Sequence, residues 1–156
     1  MEIIFICTVV AMLLKIAYLD YKYHYIADKD ILLGTIPSLA MHAMRHALLN
    51  SVTGMLLGGA CAGIVYCLAK WRYGQDAFGS GDVTLFLFLG SIVGRKAFAQ
   101  WAVLFSLLVI FSLVPLHLTK KLSWAKAVPL APFLNIVTLF WLVGQMLLPQ
   151  ASFCFF

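Results

Sequence analysis

An all-α, polytopic membrane protein of about six transmembrane helices follows from three properties of this sequence. These are its apolar excess, the lengths of its apolar runs, and the places where charge interrupts them. Of 156 residues, 63% are hydrophobic and 11% charged, and the mean hydropathy is +0.99. Soluble domains are about 45–50% apolar and about 25% charged. A core of this size cannot hide such an excess, because much of a small domain's surface stays outside. Lipid is the solvent that accommodates it.

About 20 apolar residues cross a bilayer. The first run, residues 2–19, is broken only by Lys15, which can snorkel toward the nearby interface. It starts MEIIF, without a basic n-region, and no small-residue cleavage site precedes Asp20, so it reads as a retained span. A polar stretch, 20–30, leads to a second run at 31–49, which carries His42, Arg45 and His46 toward its far end. The third, 52–69, is followed by a polar loop at 70–81. Asp82 opens a fourth run that reaches residue 94 and is short for a full crossing. Arg95 and Lys96 mark a turn before the fifth run, 97–118. A basic loop at 119–126 and a sixth run, 127–148, complete a single membrane-embedded domain over residues 1–156.

Six crossings put Asp20, Asp82 and the 119–126 loop on one side by parity. Lys15, Lys22, Lys29, Lys70, Arg72, Lys120, Lys121 and Lys126 fall there too, against Arg45, Arg95 and Lys96 opposite. Basic residues favour the cytoplasmic side. The aspartate face is therefore expected to be cytoplasmic, in the cell inner (plasma) membrane, with both termini outside. The same distribution argues against a nucleic-acid partner despite the net charge of +5, since the basic residues sit in short gaps between apolar runs. Cys7, Cys61, Cys67 and Cys154 form no C-x-x-C pair and read as buried, inert thiols. His42 and His46 are four apart but have no carboxylate or cysteine near them in sequence, and read as interfacial; no metal is expected. Gly54, Gly58, Gly59, Gly63, Gly90 and Gly94 recur at spacings that let helix backbones approach closely.

Chemistry concentrates in the aspartates. All five, Asp20, Asp28, Asp30, Asp76 and Asp82, lie in the two loops of the expected cytoplasmic face. Asp20 closes the first span and Asp82 opens the fourth, so each can reach a shared cavity. Two carboxylates held close share a proton; one activates water while the other supports the attacked carbonyl oxygen. An aspartate at a helix start is commonly only a cap, and the dipole there favours its ionised form. The string Phe78-Gly79-Ser80-Gly81-Asp82 adds something a cap does not need. Its two glycines, Gly79 and Gly81, let another backbone come close.

Gly79-Ser80-Gly81-Asp82 resembles the G-x-G-D motif of intramembrane aspartyl proteases. The wider segment from Gly74 to Leu85 is similar to the second aspartate motif of the prepilin peptidase (type IV leader peptidase) family, and Gly90 and Gly94 fall where that family has a glycine pair. Its first motif, an aspartate, five residues, then Ile-Pro-Asn or Ile-Pro-Asp, is matched by Asp20 and by Ile26-Ala27-Asp28. Pro129-Leu130-Ala131-Pro132-Phe133 resembles its Pro-x-x-Pro-[Phe/Tyr] element. The three matches stand in order across roughly residues 10 to 135. Two departures are plain: Ala27 for proline, which loosens the turn, and Thr84 where the family generally has lysine.

The resemblance implies an aspartic endopeptidase that removes the short basic leader of a pilin-like precursor, just after a glycine, on the cytoplasmic side. Asp20 and Asp82 are its implied catalytic pair, and no cofactor is needed. Asp28, Asp76 or Asp30 could pair with the basic leader, although solvated loop charge is the default reading of all three, and Gly79, Gly81, Pro129 and Pro132 would shape the site. The N-terminal segment with paired C-x-x-C motifs of the long bifunctional members has no counterpart here, so peptidase without methyltransferase activity is expected. Two other classes remain open at this level: a G-x-G-D protease of the presenilin or signal-peptide-peptidase kind, and a non-catalytic transporter or assembly protein whose carboxylates carry protons.

Overall fold

The computed structural model describes residues 2–23, 26–74, 79–118 and 131–147. Among them are six helices: α1 (Glu2–Tyr23), α2 (Asp28–Met44), α3 (Leu48–Tyr73), α4 (Ser80–Val93), α5 (Arg95–Leu118) and α6 (Ala131–Leu147). Each apolar run becomes one helix, and the fold is the all-α, polytopic membrane bundle expected. Three helices contain segments long and apolar enough to cross a bilayer: Ile4–Tyr23, Leu48–Arg72 and Arg95–Ser112. The odd-numbered helices have 22, 26 and 24 residues and the even-numbered ones 17, 14 and 17. The second run ends earlier than its composition suggests. Arg45 and His46 form a turn, with His46 at φ 54°, and α3 begins at Leu48.

The interior inverts the soluble pattern. Leu49, Trp71, Phe111 and Phe140 are exposed on the outer surface, while Ser38, Ser51, Ser91, Asn135 and Thr138 are fully enclosed. With lipid outside, apolar burial gives little drive for helices to associate; close packing and interhelical hydrogen bonds decide which faces meet. The short α4 is the centre of the bundle, with Leu85 and every residue from Phe88 to Val93 buried and α2, α3, α5 and α6 around it. At the end remote from the aspartates, Ser51 Oγ donates to the Ser91 carbonyl at 2.6 Å and Ser91 Oγ lies 3.1 Å from Ser38 Oγ. Three helices are thereby pinned together.

The contact between α3 and α4 is the most extensive in the molecule. Here the glycines have a specific use: a Cβ on Gly90 would run into the backbone of Gly54, and one on Gly58 into the Phe86 carbonyl. Gly63 differs, because nothing lies within 4 Å of where its Cβ would stand.

Several expectations are corrected. Cys7, Cys61 and Cys67 are exposed on the outer surface of the bundle, where lipid rather than protein covers them. His42 is buried, with Nδ1 3.0 Å from the Ser38 carbonyl, and His46 lies beyond the end of α2, so the two do not share a helix face. The 119–126 loop and the start of the sixth run lie outside the described residues.

Gly90→Ala is expected to destabilise the protein by about 1–3 kcal/mol, as overpacking against backbone does. Gly63→Ala should leave it unchanged or slightly more stable. Thermal unfolding in detergent, followed by circular dichroism, separates the two.

Candidate active site

Asp20 stands in the last turn of α1, only 7% exposed. Its Oδ2 accepts the backbone N–H of Ala131 at 3.1 Å. Ala131 is the first residue of α6, so a carboxylate meets the positive end of a helix dipole and satisfies an amide that has no partner within its own helix. The next residue, Pro132, lacks an N–H and leaves that end to the carboxylate; it is half-buried in the first turn. The proline-rich element thus bears on the site through the helix start it produces.

Asp82 stands in the polar first turn of α4, ahead of the apolar stretch that begins at Val83. Gly79 is the N-cap residue, and Asp82 Oδ2 lies 3.4 Å from where a Gly79 Cβ would stand. A helix-start role does not exhaust the interactions of Asp82. Burial and the nearby charge of Asp20 push its pKa up to about 6, against the opposing pull of the Gly79 amide. The helix dipole at this position favours the ionised form, but burial and the second carboxylate outweigh it. Asp20 and Asp82 are close enough for one to bear on the protonation of the other.

Two contacts stitch the loops behind these carboxylates. Gly81 lies against Ile26, where a Cβ would come within 3.1 Å of the Ile26 Cβ. Thr84 Oγ1 lies 3.2 Å from Asp28 Oδ1 and 2.9 Å from the Gly81 carbonyl. The threonine that replaces the family's lysine therefore engages the residue that closes the first motif. Ala27, in place of proline, keeps an extended backbone at φ −85°, near the value that proline would impose, and caps α2 through its carbonyl. Asp28 is exposed at the start of α2.

Asp30 is not a solvated loop charge. It is 4% exposed and takes Lys15 Nζ at 2.6 Å. Lys15, expected to snorkel, is spent on this ion pair between α1 and α2, and Asp30 is withdrawn from any substrate. Asp76 and Pro129 lie outside the described residues. No group of three or more His, Cys, Asp or Glu side chains suited to a metal occurs among the described residues. Sequence reasoning missed Asn135, which donates from Nδ2 to the Leu13 carbonyl at 2.8 Å, and Thr138, whose hydroxyl takes the Trp101 indole N–H at 3.0 Å. The signal was there: an amide in the middle of an apolar run is costly in a membrane and rarely idle.

A family model described as the type IV leader peptidase family matches residues 7–143. The prepilin leader peptidase/N-methyltransferase of Haemophilus influenzae is 29% identical over 133 residues, which is 80% of this chain and 54% of that protein. The chain thus spans about half the length of the curated relative it matches. No solved structure matches.

Asp82 should hold its proton up to about pH 6. In Asp20→Asn the neighbouring charge is gone, so Asp82 should titrate at lower pH. Carbon NMR of isotopically labelled aspartate in micelles follows this; an unmoved titration would show that burial alone sets it.

Proposed function

The chain belongs to the type IV leader peptidase family, and from that premise we propose that it is an aspartic endopeptidase that cleaves the short basic leader from a pilin-like precursor. The observation that carries the reading is the stitching of the two motif loops, with Gly81 against Ile26 and Thr84 Oγ1 3.2 Å from Asp28 Oδ1, which supports Asp20 and Asp82 as a neighbouring pair of carboxylates. Two such carboxylates do not readily ionise together, and the pair holds one proton over a broad range.

Asp82 is the natural keeper of that proton. Asp20, facing the start of α6, is the base. It takes a proton from water as the water oxygen bonds to the peptide carbonyl carbon. The Asp82 proton meanwhile moves onto the carbonyl oxygen, giving a neutral tetrahedral diol. Asp20 returns its proton to the leaving nitrogen, Asp82 recovers one from a diol hydroxyl, and the C–N bond breaks. Water, base and acid are all supplied without a metal. The exposed Gly79 presents no side chain to an extended peptide approaching Asp82, while Gly81 makes room for Ile26.

Orientation follows the charge bias: the aspartate end faces the cytoplasm, in the plasma membrane, with both termini on the other side. The exposed Asp28, and Asp76 with it, provide negative charge for the basic leader. Residues 1–156 act as a single peptidase domain, and no methyltransferase activity is assigned to it. A G-x-G-D protease of another family and a proton-carrying transporter are the competing readings. The family match disfavours both.

Asp20→Asn and Asp82→Asn should each lower cleavage of a pilin-like precursor by about 10²–10⁴-fold, since asparagine can neither accept nor deliver the proton. Processing that survives both substitutions sinks the assignment. Asp28→Asn should raise KM several-fold with kcat nearly unchanged, and the effect should vanish on a precursor whose leader carries no lysine or arginine. A fall in kcat alone would remove Asp28 from leader binding.

A further inference from the structure

On α6, Ala131, Asn135 and Thr138 stand at i, i+4 and i+7 and so share one face. The first two reach α1: the Ala131 amide to the Asp20 carboxylate, and Asn135 Nδ2 to the Leu13 carbonyl. Leu13 and Asp20 are seven residues apart and share a face of α1 in the same way. Between these polar contacts lie Ile16 and Leu134, both buried and smooth. Apolar side chains facing each other inside lipid slide at little cost, because lipid tails and leucine are much alike. A single hydrogen bond at one end leaves such a pair free to pivot; two bonds along the face fix both rotation and translation.

The amide orientation of Asn135 is settled by its partner, since only the NH₂ group can donate to a carbonyl. That choice leaves Asn135 Oδ1 buried with no hydrogen-bond partner among the described residues. A buried acceptor without a partner destabilises the fold. An apolar side chain of similar size would pack here without that cost, so stability does not explain an asparagine at this position. We infer that Asn135 is a positioning residue for the reaction: it sets the register of α6 on α1 and thereby holds the Ala131 N–H on Asp20. Asn135 touches no substrate. It acts through a backbone amide one helical turn away.

The inference rests on the peptidase reading, and its test separates the two. The full chain is reconstituted in phosphatidylglycerol/phosphatidylcholine vesicles with a synthetic precursor peptide: a lysine-rich leader ending in glycine, followed by an apolar segment. Asn135→Leu should lower kcat about tenfold or more, as small misplacements of reacting groups do, with KM within about twofold of wild type. Ala131→Pro deletes the same N–H while keeping a residue suited to a helix start. If Asn135 works through that amide, the double variant is no worse than the poorer single one. Losses that multiply, or a fall in stability with kcat intact, overturn the inference. Asn135→Ala replaces the leucine variant should the latter fail to fold.

If wild type leaves the peptide whole, the peptidase reading fails, and the positioning is read from spin labels instead. Labels at Tyr18→Cys and Phe140→Cys, in a chain whose four cysteines are serine, report the distance from α1 to α6. A broader or displaced distribution in Asn135→Leu sustains the inference; an unchanged one overturns it.

Discussion

Of the two hydrogen bonds that join the first described helix to the last, one holds the site: the Ala131 amide donated to the buried Asp20 carboxylate. Removing a carboxylate from water is expensive unless something answers its charge. Here the answer is a helix start, which is itself short of acceptors. Each solves the other's problem, and the bundle has to close for either to be solved. With α6 docked, Asp20 is held at a defined place beside the first turn of α4, and Asp82 then feels its charge.

Around that bond, each contact restricts one more degree of freedom. Lys15 and Asp30 join α1 to α2. Thr84 and Asp28 join α2 to α4 across the two motifs, and Gly81 against Ile26 keeps the loops in register. The loss of a positive charge at residue 84 is accompanied by a direct link between the motifs. The loss of proline at 27 leaves the backbone nearly where proline would hold it.

The helices and their order were legible in the sequence, and the two aspartates could be proposed from it, because run length and motif spacing are one-dimensional properties. Which faces meet was not. In a soluble helix an apolar stripe marks the buried side; in α1 or α3 both sides are apolar, so the sequence offers no phase. Asp30 looked like a loop charge because α2 was expected to start after it, and only the packing of α2 on α1 delivers Lys15 to it. His42 and the three serines were hidden for the same reason. The cysteines were misread because "apolar run" was taken as "buried", which holds only where the solvent is water. For Asp82, sequence identified a helix start but could not weigh burial and a second carboxylate against the dipole.

The glycine contact between α3 and α4 also determines a depth. Gly54 lies against Gly90 and Gly94, and Gly58 against Phe86 and Gly90, in antiparallel order. Opposed residue numbers therefore sum to 144–148, and Asp82 lies level with residues 62–66 of α3. From residue 64 to Tyr73 the helix runs on for nine more residues, a rise of ~13 Å. The register of α4 on α3 therefore fixes where Asp82 stands along the bundle. A slip by one glycine spacing, four residues, would carry it ~6 Å along the axis, away from the level of Asp20.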